Sequence, residues 1–364
     1  MSTPTESQVV SRPANTPIRL VDSDVHCAVD SIGDLMPYLP EVWQCYIRES
    51  GFRGPPPSPY PKMKPYAARD DSHPPSGRAP GSDLAFLQQQ HLDHWQIDRA
   101  IMNPLYPVDC LPNVDLGAAL CAAHNDYMID KWYEQDERMR GSMIIPWRDP
   151  QLAIREIQRI GEHPRIVQIL LLASTGVLYG KRHFHPIWEA AAKAGLVVGI
   201  HWGGSEAPRA SGDAPSLYLE YHVNLAQAAM AHVVSLVCEG VFERFPDLRV
   251  AIIEGGMAWL PALMWRLDKD WRGCRMEAPW LDRRPSDVIR QHIRLTTQPI
   301  EEPDDPAHLR QVIEHMGSDN LLLFATDYPH WDFDSPARAL PASLPQSLRQ
   351  KILMGNAIDF YRLT

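Results

Sequence analysis

Eight short apolar, β-prone runs recur along this chain, and from the second onward helically spaced segments separate them. The runs fall at 18–26, 99–104, 139–146, 165–173, 196–201, 248–254, 293–298 and 321–327. Segments 83–96, 114–137, one opening at Asp149-Pro150, 184–194, 218–239, 258–272 and 305–316 read as helices, with another at 344–354. In 114–137, Leu116, Leu120, Ala123 and Tyr127 form one stripe, as a helix packed on a sheet requires. The run RIVQILLLA at 165–173 is apolar almost throughout, the pattern of a strand buried on both faces. Strands that alternate with helices pair in parallel through right-handed crossovers. Eight such units predict an α/β chain folded as a (β/α)8 TIM barrel.

With 364 residues, 45% of them hydrophobic, the chain can bury a core of that size. Residues 17–364 are expected to form the barrel, and the polar stretch 1–16 to be a flexible tail. Many of the 34 prolines gather in residues 51–82, which also carry Arg53, Tyr60, Lys64 and Tyr66. So long a stretch without regular structure is disordered or functional, and it is read as an insertion after strand 1 that caps the site. A net charge of -10 argues against a nucleic-acid or anionic-membrane surface and leaves a small soluble ligand as the partner. Six cysteines without Cys-x-x-Cys spacing, and no signal-like or membrane-spanning run, give the expectation of a cytoplasmic protein.

A barrel enzyme carries its reactive groups where the strands end, because that pole holds the βα loops. The polar residues fall there: Asp24 and His26 on the first strand, His201 on the fifth, Glu254 on the sixth and Asp327 on the eighth. Alternation along the first strand places Asp22, Asp24 and His26 on one face. A lone histidine at a strand end is usually structural; several strands ending in this way point to a shared site. Asp24, His26, His201 and Asp327 offer two nitrogens and two oxygens, a set suited to a divalent metal, zinc first and manganese as the alternative. Glu254 would stand beside that metal as general acid, general base or further ligand.

Several of these stretches resemble the amidohydrolase superfamily, in particular the amidohydrolase-2 group of aminocarboxymuconate-semialdehyde, γ-resorcylate and other hydroxybenzoate decarboxylases. They are Asp22-Ser23-Asp24-Val25-His26, Ile200-His201-Trp202-Gly203-Gly204, the run 242–250 leading into Glu254-Gly255-Gly256, Phe324 through His330, and Gly355-Asn356-Ala357. The resemblance runs from about residue 18 to residue 361 and implies metal ligands at Asp24, His26, His201 and Asp327. Two departures stand out. Asp24-x-His26 replaces the His-x-His of many members, and Glu254 stands where better-studied members carry a catalytic histidine.

The resemblance implies non-oxidative decarboxylation of a small aromatic or enoic acid, with Glu254 or Asp327 delivering a proton to carbon. One rival is metal-activated hydrolysis or hydration of an amide, ester or lactone, or the reverse condensation or cyclisation; the Glu254 substitution strengthens it. Another is a barrel kept only for binding. His330 is expected to act as an acid or to support Asp327, with a structural turn as the plain alternative. Trp202, Arg209 and His222 are candidate substrate contacts, and Trp331 a further aromatic one. Trp259 and Trp265, at near-helical spacing, are expected in the core, and His183 and His185 at a helix start. A homodimer is implied by resemblance alone.

Overall fold

The computed structural model describes residues 19–55, 60, 62–204 and 215–363. Its eight parallel strands follow chain order: β1 (Val21–Val25), β2 (Arg99–Met102), β3 (Met139–Ile144), β4 (Ile166–Leu172), β5 (Val197–His201), β6 (Arg249–Ile253), β7 (Ile293–Thr296) and β8 (Leu322–Leu323). β1 meets the far edge of the sheet. Ser23 N–H donates to Phe324 O at 2.8 Å, His26 N–H to Tyr328 O at 2.8 Å and Asp327 N–H to Asp24 O at 3.1 Å. These bonds bring the sheet nearly to closure, the TIM-barrel-like α/β architecture expected from the alternation.

Branched and aromatic residues fill the space between sheet and helices, among them Ile169, Leu171, Val198, Ile252, Trp188 and Phe324. The barrel interior is partly polar. Asn103 Oδ1 accepts from Ser142 Oγ at 2.7 Å and Gln168 Nε2 at 2.9 Å, while Tyr361 OH donates to Gln168 Oε1 at 3.0 Å. Gly199 lets this network pass, since a Cβ there would lie 2.6 Å from the Gln168 side chain. The side-chain polar groups of Asn103, Ser142, Gln168 and Tyr361 are thus paired, as burial demands.

Helix starts obey their capping chemistry. Asp149 accepts from Gln151 N and Leu152 N ahead of the helix Pro150–Ile160, and Asn113 accepts from Asp115 N and Leu116 N ahead of Val114–Met128. Some spans differ from expectation. The helix expected over 218–239 is two, Tyr218–Val223 and Leu225–Cys238, joined at Asn224. Helices Glu41–Ser50 and Pro285–His292 were not expected. Trp259 is partly buried against the core, but Trp265 is not a core residue: it is 55% exposed and lies edge-on to His315.

The described part of 51–82 runs to the C-terminal pole of the sheet. Trp331 N–H donates to Ala67 O at 2.8 Å and Arg69 N–H to Pro329 O at 2.9 Å. Tyr60 stacks on Tyr221 at 4.3 Å between ring centroids and donates its hydroxyl to Pro215 O at 2.7 Å. Among the described residues no helix is long and apolar enough to cross a membrane.

Candidate metal centre

Four strand ends, those of β1, β5, β6 and β8, converge at one pole. Asp24, His26, His201, Glu254 and Asp327 each bring a ligand atom within 4.8 Å of the others, and all five are buried. Local backbone explains part of this convergence. β1 shifts register between Asp22 and Val25, so Asp22 does not share the face of Asp24 and His26 as simple alternation predicts. It turns instead to His91 Nε2 at 2.9 Å and Thr326 Oγ1 at 2.6 Å, and its other oxygen accepts from Thr326 N at 3.0 Å. Asp22 thus ties β1 to the segment that carries Asp327. Glu254 and Asp327 sit just past β6 and β8 at φ 55° and 61°, left-handed positions uncommon for residues with a side chain.

The two histidines are held in one and the same way. His26 Nδ1 donates to Asn103 O at 2.7 Å, which leaves Nε2 at 2.7 Å from Asp327 Oδ1. His201 Nδ1 lies 2.5 Å from Trp202 O, and its Nε2 is 3.2 Å from Asp24 Oδ2 and 3.5 Å from Glu254 Oε2. A backbone carbonyl fixing one ring nitrogen while the other faces carboxylates is how ligating histidines are oriented. Asp24 is positioned by Asn103 Nδ2 at 2.9 Å, and Asp327 by His330 Nδ1 at 2.7 Å and Gln298 Nε2 at 3.2 Å. Asn103, Gln298 and Asp332 were not singled out from sequence. They lie in or beside loops at the pole, where no periodicity marks them.

Electrostatics fit a cation site. Burial works against ionising Asp24, yet the neighbouring His201 and His26 hold it down at about 2. Burial also opposes charging His26, but Asp24 and Asp327 lift it to about 9. Glu254 is pushed well above its ordinary value by burial and by the Asp327, Asp332 and Asp24 charges, and Asp327 rises chiefly through burial. Glu254 Oε2 is buried with no hydrogen-bond partner among the described residues. Clustered carboxylates facing two imidazole nitrogens, with one carboxylate oxygen left without a hydrogen bond among the described residues, suit a divalent ion.

Trp202, His222 and Trp331 line the mouth. His222 Nε2 lies 3.4 Å from Asp332 Oδ2. Its ring is flanked by Trp202, Trp331 and Tyr218 at 5.2, 5.4 and 5.9 Å. The Trp202 indole N–H has no partner among the described residues. Lys62, on the Pro-rich stretch, is close enough to Glu254 and His330 for its charge to be felt at both. His330 Nδ1 donates to Asp327 Oδ1 at 2.7 Å, so it supports that carboxylate rather than serving a turn alone. Arg209 lies outside the described residues, so the structure does not place it. His183 and His185 lie at a helix start away from the centre.

Residues 21–363 match the amidohydrolase family. This chain is an amidohydrolase-2 family member. It is 25% identical to the γ-resorcylate decarboxylase of Polaromonas sp. JS666 over 256 residues, 66% of this chain and 75% of that one. Among solved structures it resembles 5-carboxyvanillate decarboxylase from Sphingomonas paucimobilis, with TM-score 0.68 and 21% identity over 96% of this chain and all of that one. It also resembles the Polaromonas dihydroxybenzoic acid decarboxylase solved with manganese and 2-nitroresorcinol, with TM-score 0.64 and 19% identity over 95% and 98% of the two chains. At these identities the structural likeness carries the fold; function has to be argued from the site.

Proposed function

We propose that this amidohydrolase is a metal-dependent decarboxylase of a small aromatic carboxylic acid. The observation that carries the reading is the five-residue centre at the barrel pole, opening onto a mouth walled by Trp202, Tyr218, His222 and Trp331. The names of the similar proteins, decarboxylases of hydroxylated benzoates, support it. Asp24, His26, His201 and Asp327 would hold the ion. Manganese, present in the Polaromonas structure, stands beside zinc as a candidate. When bound, such an ion supplies Lewis acidity towards a carboxylate and a neighbouring hydroxyl oxygen.

The chain's own groups supply the rest. Flat aromatic walls orient a planar ring, and the described part of 51–82, bonded to the segment after β8, serves as a cap that limits water. Glu254, buried beside His201, delivers a proton to the ring carbon that bears the carboxylate. The bond from that carbon to the carboxylate then breaks, carbon dioxide leaves, and the bonding pair restores the aromatic ring. Burial favours the acid form of Glu254 that this role needs; a cation beside it pulls the other way, so its position relative to the ion decides how readily the proton is given. Asp327 is the other group placed to give it.

Glu254 also favours a second reading. A carboxylate is a competent base for water, which would suit hydrolysis of an amide, ester or lactone, or the reverse condensation. The two readings part in one experiment. Incubation of the metal-loaded protein with hydroxybenzoates in deuterium oxide should release carbon dioxide and place one deuterium on the vacated carbon. Turnover of esters or amides without any carbon dioxide from the acids would overturn the decarboxylase reading. A homodimer remains part of the proposal; exposed Leu217, Leu219 and Val223 on or beside the helix Tyr218–Val223 are the apolar surface it would use.

A further inference from the structure

Beside the first centre lies a second group that has not been read above as a metal site. His222, Glu254 and Asp332 also bring ligand atoms within 4.8 Å of one another, so Glu254 belongs to both groups. Its Oε2 is buried without a hydrogen bond among the described residues, with His201 Nε2 3.5 Å away, and the residue as a whole is 1% exposed. His222 and Asp332 are not sealed in the interior: their side chains are 15% and 12% exposed, and they face the mouth. Gln298 Nε2 donates to Asp332 Oδ2 at 3.0 Å and to Asp327 Oδ2 at 3.2 Å. One amide thus holds the outer carboxylate in register with the inner one.

Charge makes the same point. Asp24, Glu254, Asp327 and Asp332 crowd four carboxyl groups into one pole, three of them buried, and with all four ionised a single divalent ion offsets only half of their charge. An aromatic acid would add a further negative charge. A hard or borderline divalent cation accepts one imidazole and two carboxylates readily, with water filling the open positions. Mixed nitrogen and oxygen donors exclude a soft thiophilic ion.

We propose that the centre takes a second divalent cation, held by His222 and Asp332 and bridged to the first through Glu254. The inference rests on the metal-centre reading above and deepens it. With the outer ion bound, Glu254 is an ionised ligand and the proton falls to Asp327, the other donor named above. The outer ion would meet the anionic group of the substrate at the mouth, where the inner ion alone leaves excess negative charge. Partial exposure of His222 and Asp332 makes the outer position the more labile of the two.

The test is metal stoichiometry, which does not depend on turnover. Chelator-stripped protein is equilibrated with increasing Mn(II), and bound ion per chain is measured together with the electron paramagnetic resonance spectrum. The wild type should take up two ions in two steps, and the second should convert the six-line signal of an isolated ion into that of an exchange-coupled pair. Asp332→Asn and His222→Gln should each stop at one ion with the six-line signal retained, which also shows that the fold and inner site survive. Saturation of the wild type at one ion overturns the proposal while leaving the decarboxylase reading intact. A second ion kept by both variants places it elsewhere and overturns the assignment. No ion at all overturns this proposal and the metal centre together.

Discussion

Glu254 and Asp327 share a left-handed backbone, at φ 55° and 61°, the first directly after β6 and the second four residues past β8. Such a conformation costs on the order of 1–3 kcal/mol in a residue with a side chain. It is held by neighbours: Glu254 N–H donates to Thr296 Oγ1 at 2.9 Å, and Asp327 N–H to Asp24 O. The turn aims both carboxyl groups into the pole instead of along the barrel wall. Glu254→Gln keeps that shape and removes the transferable proton. Decarboxylation should fall by roughly 10²–10⁴-fold with the melting temperature unchanged or raised, since a buried acid crowded by like charges is gone. Activity within a few-fold of wild type would remove Glu254 from proton transfer.

Asn103 acts at one remove from the centre. Its carbonyl fixes His26, its amide fixes Asp24, and its side-chain oxygen takes Ser142 and Gln168. Asn103→Ala should weaken metal affinity by roughly 10–100-fold, the usual effect of losing a group that orients ligands. Competition with a chromogenic chelator reads this directly, and an unchanged affinity would show that Asp24 is held without the amide.

Asp22 makes the opposite prediction from Asp24, although only one residue separates them. Its partners are His91, Thr326 and two backbone N–H groups. Asp22→Ala leaves those buried donors without an acceptor and should destabilise the fold by about 3–5 kcal/mol. Metal bound per folded chain should not change. Chemical denaturation and metal analysis on the same preparation separate the two effects; loss of metal without loss of stability would make Asp22 part of the centre.

Two histidines away from the centre set the acid limb of stability. Burial pushes His124 down to about 3 and His232 down to about 4. Both stay neutral in the folded chain while they gain protons near pH 6.5 when unfolded. The unfolded state therefore binds more protons below pH 6.5, and stability falls as pH drops from there towards about 4 for His232 and about 3 for His124. His124→Phe removes one such site. Relative to wild type its unfolding free energy should gain about 2 kcal/mol between pH 7.5 and pH 5, whatever its offset at pH 7.5. Parallel pH profiles for the two proteins would contradict the neutral buried state.

The barrel was legible because apolar runs stop abruptly at polar residues, and those stops mark the strand ends. His201 closes Ile200 and Glu254 follows Ile253, so two parts of the centre could be read from the chain alone. Asp22 could not: its face depends on a register shift within β1, which alternation does not encode. Asp332 and Gln298 come from loops, whose course is set by tertiary packing. The helix Glu41–Ser50 was hidden by polar composition beside a Pro-rich stretch, and Asn224 splits a segment whose apolar spacing runs on without a visible break. Trp265 shows the reverse error, a large apolar ring at helical spacing that faces outward.

The central claim is that Asp24, His26, His201 and Asp327 form a divalent-metal site. Elemental analysis of protein purified without added metal, for wild type and His201→Ala side by side, tests it most directly. At least one equivalent of manganese or zinc per chain in the wild type, lost in the folded variant, is the predicted result. A wild type that stays metal-free after incubation with either ion, or a variant that retains its full complement, would contradict it.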